Sequence, residues 1–172
     1  PLQYISEAYK ELGDEDKALE YNQQYMDKNP NAAPTDFMKL AEIYVNKSKK
    51  DPAKKVENID KAIGVYAKLA EKYPTLKPFA KLQEGNTAFQ NELDDKAIAA
   101  YTEVINELEA KQCDEDELSY LKTSYQYMGF IYTYDKQDFD TAKPYWDKLL
   151  KLDPQNKLAN DAYEKAGLKP GE

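Results

Sequence analysis

DKAIGVYAKLAEKYP, residues 60–74, decides the fold. Its alanine at 62 is followed four residues later by Tyr66, and twelve residues later by Pro74. The same arrangement returns elsewhere. Asp-Lys-Ala recurs at 16–18 and 95–97, with Asp-Thr-Ala at 140–142, and the position four beyond each alanine holds Asn22, Tyr101 and Trp146. Pro30 and Pro154 stand twelve residues after Ala18 and Ala142. A small residue lets two helices cross closely, a large one a turn later fills the crossing, and a proline ends the helix. Ahead of each alanine lies a second apolar pattern at helical spacing. It reads Leu2, Ile5, Ser6, Tyr9; then Phe37, Leu40, Ala41, Tyr44; then Leu82, Gly85, Asn86, Phe89; then Tyr125, Met128, Gly129, Tyr132. Four helix pairs follow from this, each with a large–large–small–large stripe on its first helix.

The alanines are spaced by 44, 35 and 45 residues, so the first and third of these intervals, leading to the second and fourth helix pairs, carry extra chain. One insertion is NKSKKDPAKKVEN (46–58), a basic run read as a solvated extension of a turn, with Pro52 opening a restarted helix. The other is ELEAKQCDEDELSY (107–120), where Asp114 and Glu117 have the spacing of a reciprocal N-terminal cap. Pro144 is read as a first-turn proline. After Pro154, Leu158, Ala162 and Ala166 share a face of a final helix whose other side is polar, as an end cap of a repeat array requires. The chain starts at Pro1, without Met and inside the pattern, so a fragment of a longer or processed chain is expected.

Composition narrows the chemistry. There is no histidine, which removes the commonest general base and metal ligand at neutral pH. A net charge of −8 argues against a nucleic-acid partner, because phosphate binding needs clustered cations. No apolar run is long enough to span a bilayer. Cys113 stands alone beside four acids, which disfavour its thiolate. The acidic run 114–117 lacks the alternation and central glycine of a calcium loop and suits a helix start. No catalytic residues, no metal site and no cofactor are expected.

The combined pattern resembles the tetratricopeptide repeat (TPR), a helix–turn–helix unit with the signature W-x2-L-G-x2-Y, A-x3-F and a terminal proline and a period of about 34 residues. The resemblance implies an all-α right-handed α-solenoid of about four units, approximately 1–32, 33–76, 77–112 and 113–154, plus a capping helix at 155–167, nine helices in a single array over 1–172. Asn22 departs from the ring position, and the turns before Ala97 and Ala142 are one residue short and one long. The family resemblance further implies that the first helix of each unit lines a concave groove holding a peptide or protein segment. The groove candidates are Met38, Glu42 and Val45, then Gln83, Thr87 and Gln90, then Gln126, Tyr127, Phe130 and Tyr134. Members that grip acidic chaperone tails use Lys and Asn at inner positions, where this chain has Gln3 and Glu7, Met38 and Glu42, Gln83 and Thr87, Gln126 and Phe130; that clamp is absent. A non-enzymatic interaction scaffold is expected, with a structural spacer or an accessory domain of a larger protein as the alternative. The Tyr, Lys and Asn content with proline-ended repeats is similar to that of secreted or envelope-associated bacterial members, which implies a periplasmic or envelope location, with a cytoplasmic one as the alternative.

SYQYMGFIYTYD (124–135) tests the reading most sharply, since its alternating rings mimic a β-strand. The repeat makes it a helix, with Tyr125, Met128, Gly129 and Tyr132 on the packing stripe. Tyr127, Phe130 and Tyr134 form a second stripe, open either to packing against neighbouring helices or to a ligand.

Overall fold

A computed structural model describes residues 2–171, and all regular structure among them is helical. Two compact units result, up to Leu93 and from Asp94 onward. The first contains α1 (Leu2–Glu11), α2 (Glu15–Lys28), α3 (Pro34–Lys50), α4 (Lys55–Lys72) and α5 (Lys77–Phe89). Consecutive helices pack on one another in antiparallel order, joined by short turns. The second contains α6 (Asp94–Leu108), α7 (Glu115–Phe130), α8 (Phe139–Leu152) and α9 (Lys157–Lys165). The division falls inside the third helix pair. This is an all-α helical repeat of the solenoid class, as the stripes require.

In the first unit the recurrent residues form the core. Phe37, Leu40 and Ala41 of α3 close against Ala62, Val65, Tyr66 and Leu69 of α4, with Ala32 and Ala80 completing the cluster. Ala18, Ala41 and Ala62 are fully buried, which is why nothing larger serves at these crossings. The α1–α2 turn needs a left-handed residue, supplied by Gly13 at φ +75°.

The basic run is a fastening rather than a free loop. The helix α3 continues through it to Lys50 before a 3₁₀ turn that starts at Pro52 (Pro52–Lys54). Lys50 Nζ lies 2.8 Å from Glu15 and donates to the Gly13 carbonyl at 2.7 Å, and Lys47 pairs with Asp16. The added turns of α3 thus clip onto the α1–α2 corner.

Three expectations change. The third inner helix is displaced by one residue. Asp36, Leu40, Ala41 and Ile43 of α3 and Ser124, Met128, Gly129 and Ile131 of the fourth pair are all buried; the same spacing in α5 selects Ala80, Glu84, Gly85 and Thr87, also all buried. The stripe is therefore Lys81, Glu84, Gly85, Ala88, and Ala88 precedes Ala97 by the same interval that separates Tyr9 from Ala18. Leu82 and Phe89 suggest the other register because they are large and apolar. The true large positions hold instead an ion pair, Lys81 to Glu84 at 3.0 Å.

The long turn before Ala142 is absorbed inside the helix. Residues Ile131–Asp135 form a π-helical turn, with Lys136 N bonded to the Ile131 carbonyl at 2.9 Å, which takes up the one extra residue. Pro144 is in the second turn of α8, not the first, because Asp138 caps the helix at Phe139. The Asp140 carbonyl it leaves without a helical donor lies on the exposed side.

The final helix is also rotated from expectation. Its buried residues are Ala159, Ala162 and Tyr163, whereas Leu158 is 37% exposed and Ala166 is exposed. Tyr163 sets the rotation, since its hydroxyl bonds to Asp147 and its ring meets Phe139 edge-on at 5.5 Å. The cap at the start of α7 forms as read: Glu117 N donates to Asp114 at 2.9 Å and Asp114 N to Glu117 at 3.2 Å.

Candidate interaction surface on the inner helices

Counting from the small stripe residue of each first helix (Ala41, Gly85, Gly129), residues three before, one after and four to five after share a line beside the packing stripe. In α3 these are Met38, Glu42, Val45 and Asn46. Met38 is 37% exposed, Glu42 pairs with Lys10 of α1 at 2.5 Å, and Val45 packs against the core. Lys39 pairs with Glu7, and Gln3 donates to Asp36 at 2.8 Å. Charges on the α1 and α3 inner faces thus largely satisfy one another.

In α5 the shifted register changes the line to Leu82, Asn86, Phe89 and Gln90. Gln90 is exposed. Gln83 is half-buried and sits off the line. Thr87 is 8% exposed and shares a hydrogen bond with the Tyr66 hydroxyl, so it belongs to the core of its unit. Sequence reasoning missed Asn86 and Phe89; Leu82, on the same line, is 6% exposed and belongs to the core. The nine-residue interval before Ala97 was the signal that would have found them.

In the second unit the line comprises Gln126, Phe130 and Tyr134. Phe130 and Tyr134 lie with ring centroids 4.8 Å apart, tilted by 45°. The C-terminal helix approaches them: Asn156 Nδ2 donates to Gln126 at 3.3 Å, and Lys165 Nζ sits 4.6 Å from the Tyr134 centroid. Burial, and then the nearby Asp161 carboxylate, hold the Tyr134 hydroxyl above its usual range. Tyr127 falls elsewhere. It stacks on Tyr101 of α6 at 5.6 Å and 15°, which assigns it to helix packing. The three-ring stripe therefore splits, with one ring packed on α6 and two paired on the inner line.

A three-helix junction stiffens this unit. Glu109, just past α6, accepts from Tyr125 of α7 at 3.0 Å and pairs with Lys148 of α8 at 2.5 Å. The Lys148 ammonium, aided by Tyr125, holds the Glu109 carboxyl below the usual range. A depressed folded-state value contributes stability above the unfolded carboxylate value, near pH 4.3, and loses it as pH falls through the folded value. Glu109→Gln should therefore cost about 0.2–1 kcal/mol at pH 7, and that deficit should shrink as pH is lowered from 7 to 3. Urea unfolding at the two pH values measures it.

Among the described residues no group of three or more His, Cys, Asp or Glu side chains is placed to hold a metal ion, and no helix is long and apolar enough to cross a membrane. Cys113 is partly buried, and burial, then Glu117, push its thiol up.

Residues 2–32 and 37–75 match a family model described as a tetratricopeptide repeat. No curated protein sequence matches the chain. Among solved structures, the human IFIT1 dimer with PPP-AAAA superposes with a TM-score of 0.63 at 17% identity, covering 95% of this chain and 37% of IFIT1. TTC0263, a thermophilic TPR protein in Thermus thermophilus, superposes with a TM-score of 0.51 at 22% identity, covering 96% of this chain and 79% of TTC0263. The chain thus spans little more than a third of the length of IFIT1. At these identities the likeness concerns the fold.

Proposed function

Given that this chain is a tetratricopeptide-repeat protein, we propose that it acts as a non-catalytic scaffold that binds a protein segment on its inner helices. The α7 line of Gln126, Phe130 and Tyr134 carries the reading. The packing stripe uses Tyr125, Met128, Gly129 and Tyr132, and packing on α6 uses Tyr127, so two paired rings beside an amide stand apart from both, at the edge that α9 approaches through Asn156 and Lys165. Rings offer apolar area at small entropic cost, and an amide satisfies the backbone of an extended ligand. In the first unit, Met38 of α3 and Gln90 of α5 offer contacts of the same two kinds. The net charge of −8 and the mutual pairing of inner-face lysines favour a protein over a nucleic acid as the occupant.

The test is a double substitution, Phe130→Ala with Tyr134→Ala, in pull-downs from the native extract. Truncating two ring contacts at the centre of an interface should lower retention of a specific partner about tenfold or more. Retention and melting both unchanged would instead support a spacer without its own ligand at this segment. Tyr127 is left in place, because removing its stack on Tyr101 would confound binding with stability.

A further inference from the structure

We propose a second binding site in the first unit, away from the inner line, for an acidic protein segment that anchors one large apolar side chain. The site is a cavity of about 230 Å³ where α2 ends and its turn stands off from α4. Its floor is formed by Ala32, Phe37, Leu40 and Val65, with Met26 as one wall. Phe37 and Leu40 point to the opposite side of α3 from Met38 and Glu42, so an occupant here leaves the inner line open.

Size selects the anchor. Sites for drug-sized ligands run about 300–1,000 Å³, and this cavity is smaller and apolar-floored, which suits one ring or branched aliphatic group. Charge selects what flanks it. Lys68 and Lys72 of α4 stand one helical turn apart at the mouth, against Asp27 alone. The mouth is therefore cationic on a chain of net charge −8. Lys68 is exposed and has no ion-pair partner among the described residues.

The rim is also held in place beforehand. Lys72 Nζ donates to the Pro30 carbonyl at 2.6 Å and lies 5.6 Å from the Phe37 centroid. Tyr73 donates to the Ala32 carbonyl at 2.8 Å, and Asn29 Nδ2 donates to the Tyr25 hydroxyl at 2.7 Å. A pre-formed rim lowers the ordering cost of binding. Apolar floor, two lysines and a fixed rim together fit an aromatic or leucine-like side chain beside a carboxylate.

The probes are N-acetyl-Asp-Phe-amide, N-acetyl-Lys-Phe-amide and N-acetyl-Asp-Ala-amide, titrated into the ¹⁵N-labelled chain. The Asp-Phe probe should saturably shift the amides of Ala32, Leu40 and Val65. The Lys-Phe and Asp-Ala probes should each bind about fivefold more weakly. Lys68→Glu, an exposed change, should leave other amides unshifted and reverse the preference between Asp-Phe and Lys-Phe. Absence of saturable shifts at these amides overturns the proposal. So does equal binding of Asp-Phe and Lys-Phe, or of Asp-Phe and Asp-Ala, or a preference that Lys68→Glu leaves intact. The readout lies in the first unit, so failure here leaves the α7 reading untouched, and failure of the α7 double substitution leaves this one untouched.

Discussion

Gly129→Ala should lower the stability of the second unit by about 1–3 kcal/mol, although alanine is the better helix former. A methyl group at 129 would lie 2.5 Å from Trp146 Cε2, 2.6 Å from Cδ2 and 2.9 Å from Cε3. These distances are far inside van der Waals contact, so either α7 or the indole must move. The indole is poorly placed to yield: Trp146 is fully buried, and its Nε1–H donates to Thr133 Oγ1 at 2.8 Å. Swinging it breaks that bond, and displacing α8 opens the packing around Leu149. The helix-propensity gain of about 1 kcal/mol does not offset such overpacking.

Gly64→Ala is the matched control. Gly64 lies inside α4, is exposed, and a methyl group there meets nothing within 4 Å. That change should stabilise by about 0.5–1 kcal/mol. Thermal melts of both variants by circular dichroism, with emission from Trp146, the single tryptophan, reporting on the second unit, check the pair. A Gly129→Ala protein that melts at or above the unsubstituted temperature would show that the crossing relaxes freely, and would remove the reason for a small residue there.

Much of this fold is legible in the sequence. The alanines at 18, 62, 97 and 142, three of them with an aromatic four residues on, mark the helix pairs, because close helix crossing imposes a spacing that side-chain identity alone reveals. The strand-like alternation of 124–135 yielded to the repeat for the same reason. Phase within a helix was harder. In α5 the large positions hold Lys81 and Glu84, whose pairing lets them stand where Leu is usual, so the apolar pattern points instead to Leu82 and Phe89. In α9 the bulky Tyr163, not the aliphatic Leu158, took the buried face. On the inner line, sequence could mark Tyr127, Phe130 and Tyr134 as surplus rings. It could not separate them, because the Tyr101 stack that claims Tyr127 comes from another helix, and the π-turn between Phe130 and Asp135 re-aims Tyr134.

Asn22→Leu should raise stability by about 1–2 kcal/mol. Asn22 occupies the position that holds Tyr66, Tyr101 and Trp146 in the other three pairs, and it is 3% exposed. Its side-chain oxygen is buried with no hydrogen-bond donor in reach. An unsatisfied buried acceptor costs about 1–3 kcal/mol relative to water, and an aliphatic group of similar volume removes that cost while adding contact. Leu is the better choice over Tyr, because the site has closed around a small side chain and a ring would overfill it. Ser6, across the crossing, keeps its own bond to the Ala18 carbonyl at 2.7 Å and is not disturbed by the change. Asn22→Asp supplies the opposite sign. Burial disfavours a carboxylate there, so its folded-state value lies above the unfolded one, near 3.9. Its destabilisation is small where both states are protonated and grows as pH rises through the unfolded value. Urea unfolding of both variants at pH 3 and pH 7 separates the cases. A Leu variant less stable than the parent would mean that the oxygen is solvated through an opening in the α1–α2 crossing, and an Asp variant with no pH-dependent deficit would place the same site in contact with water.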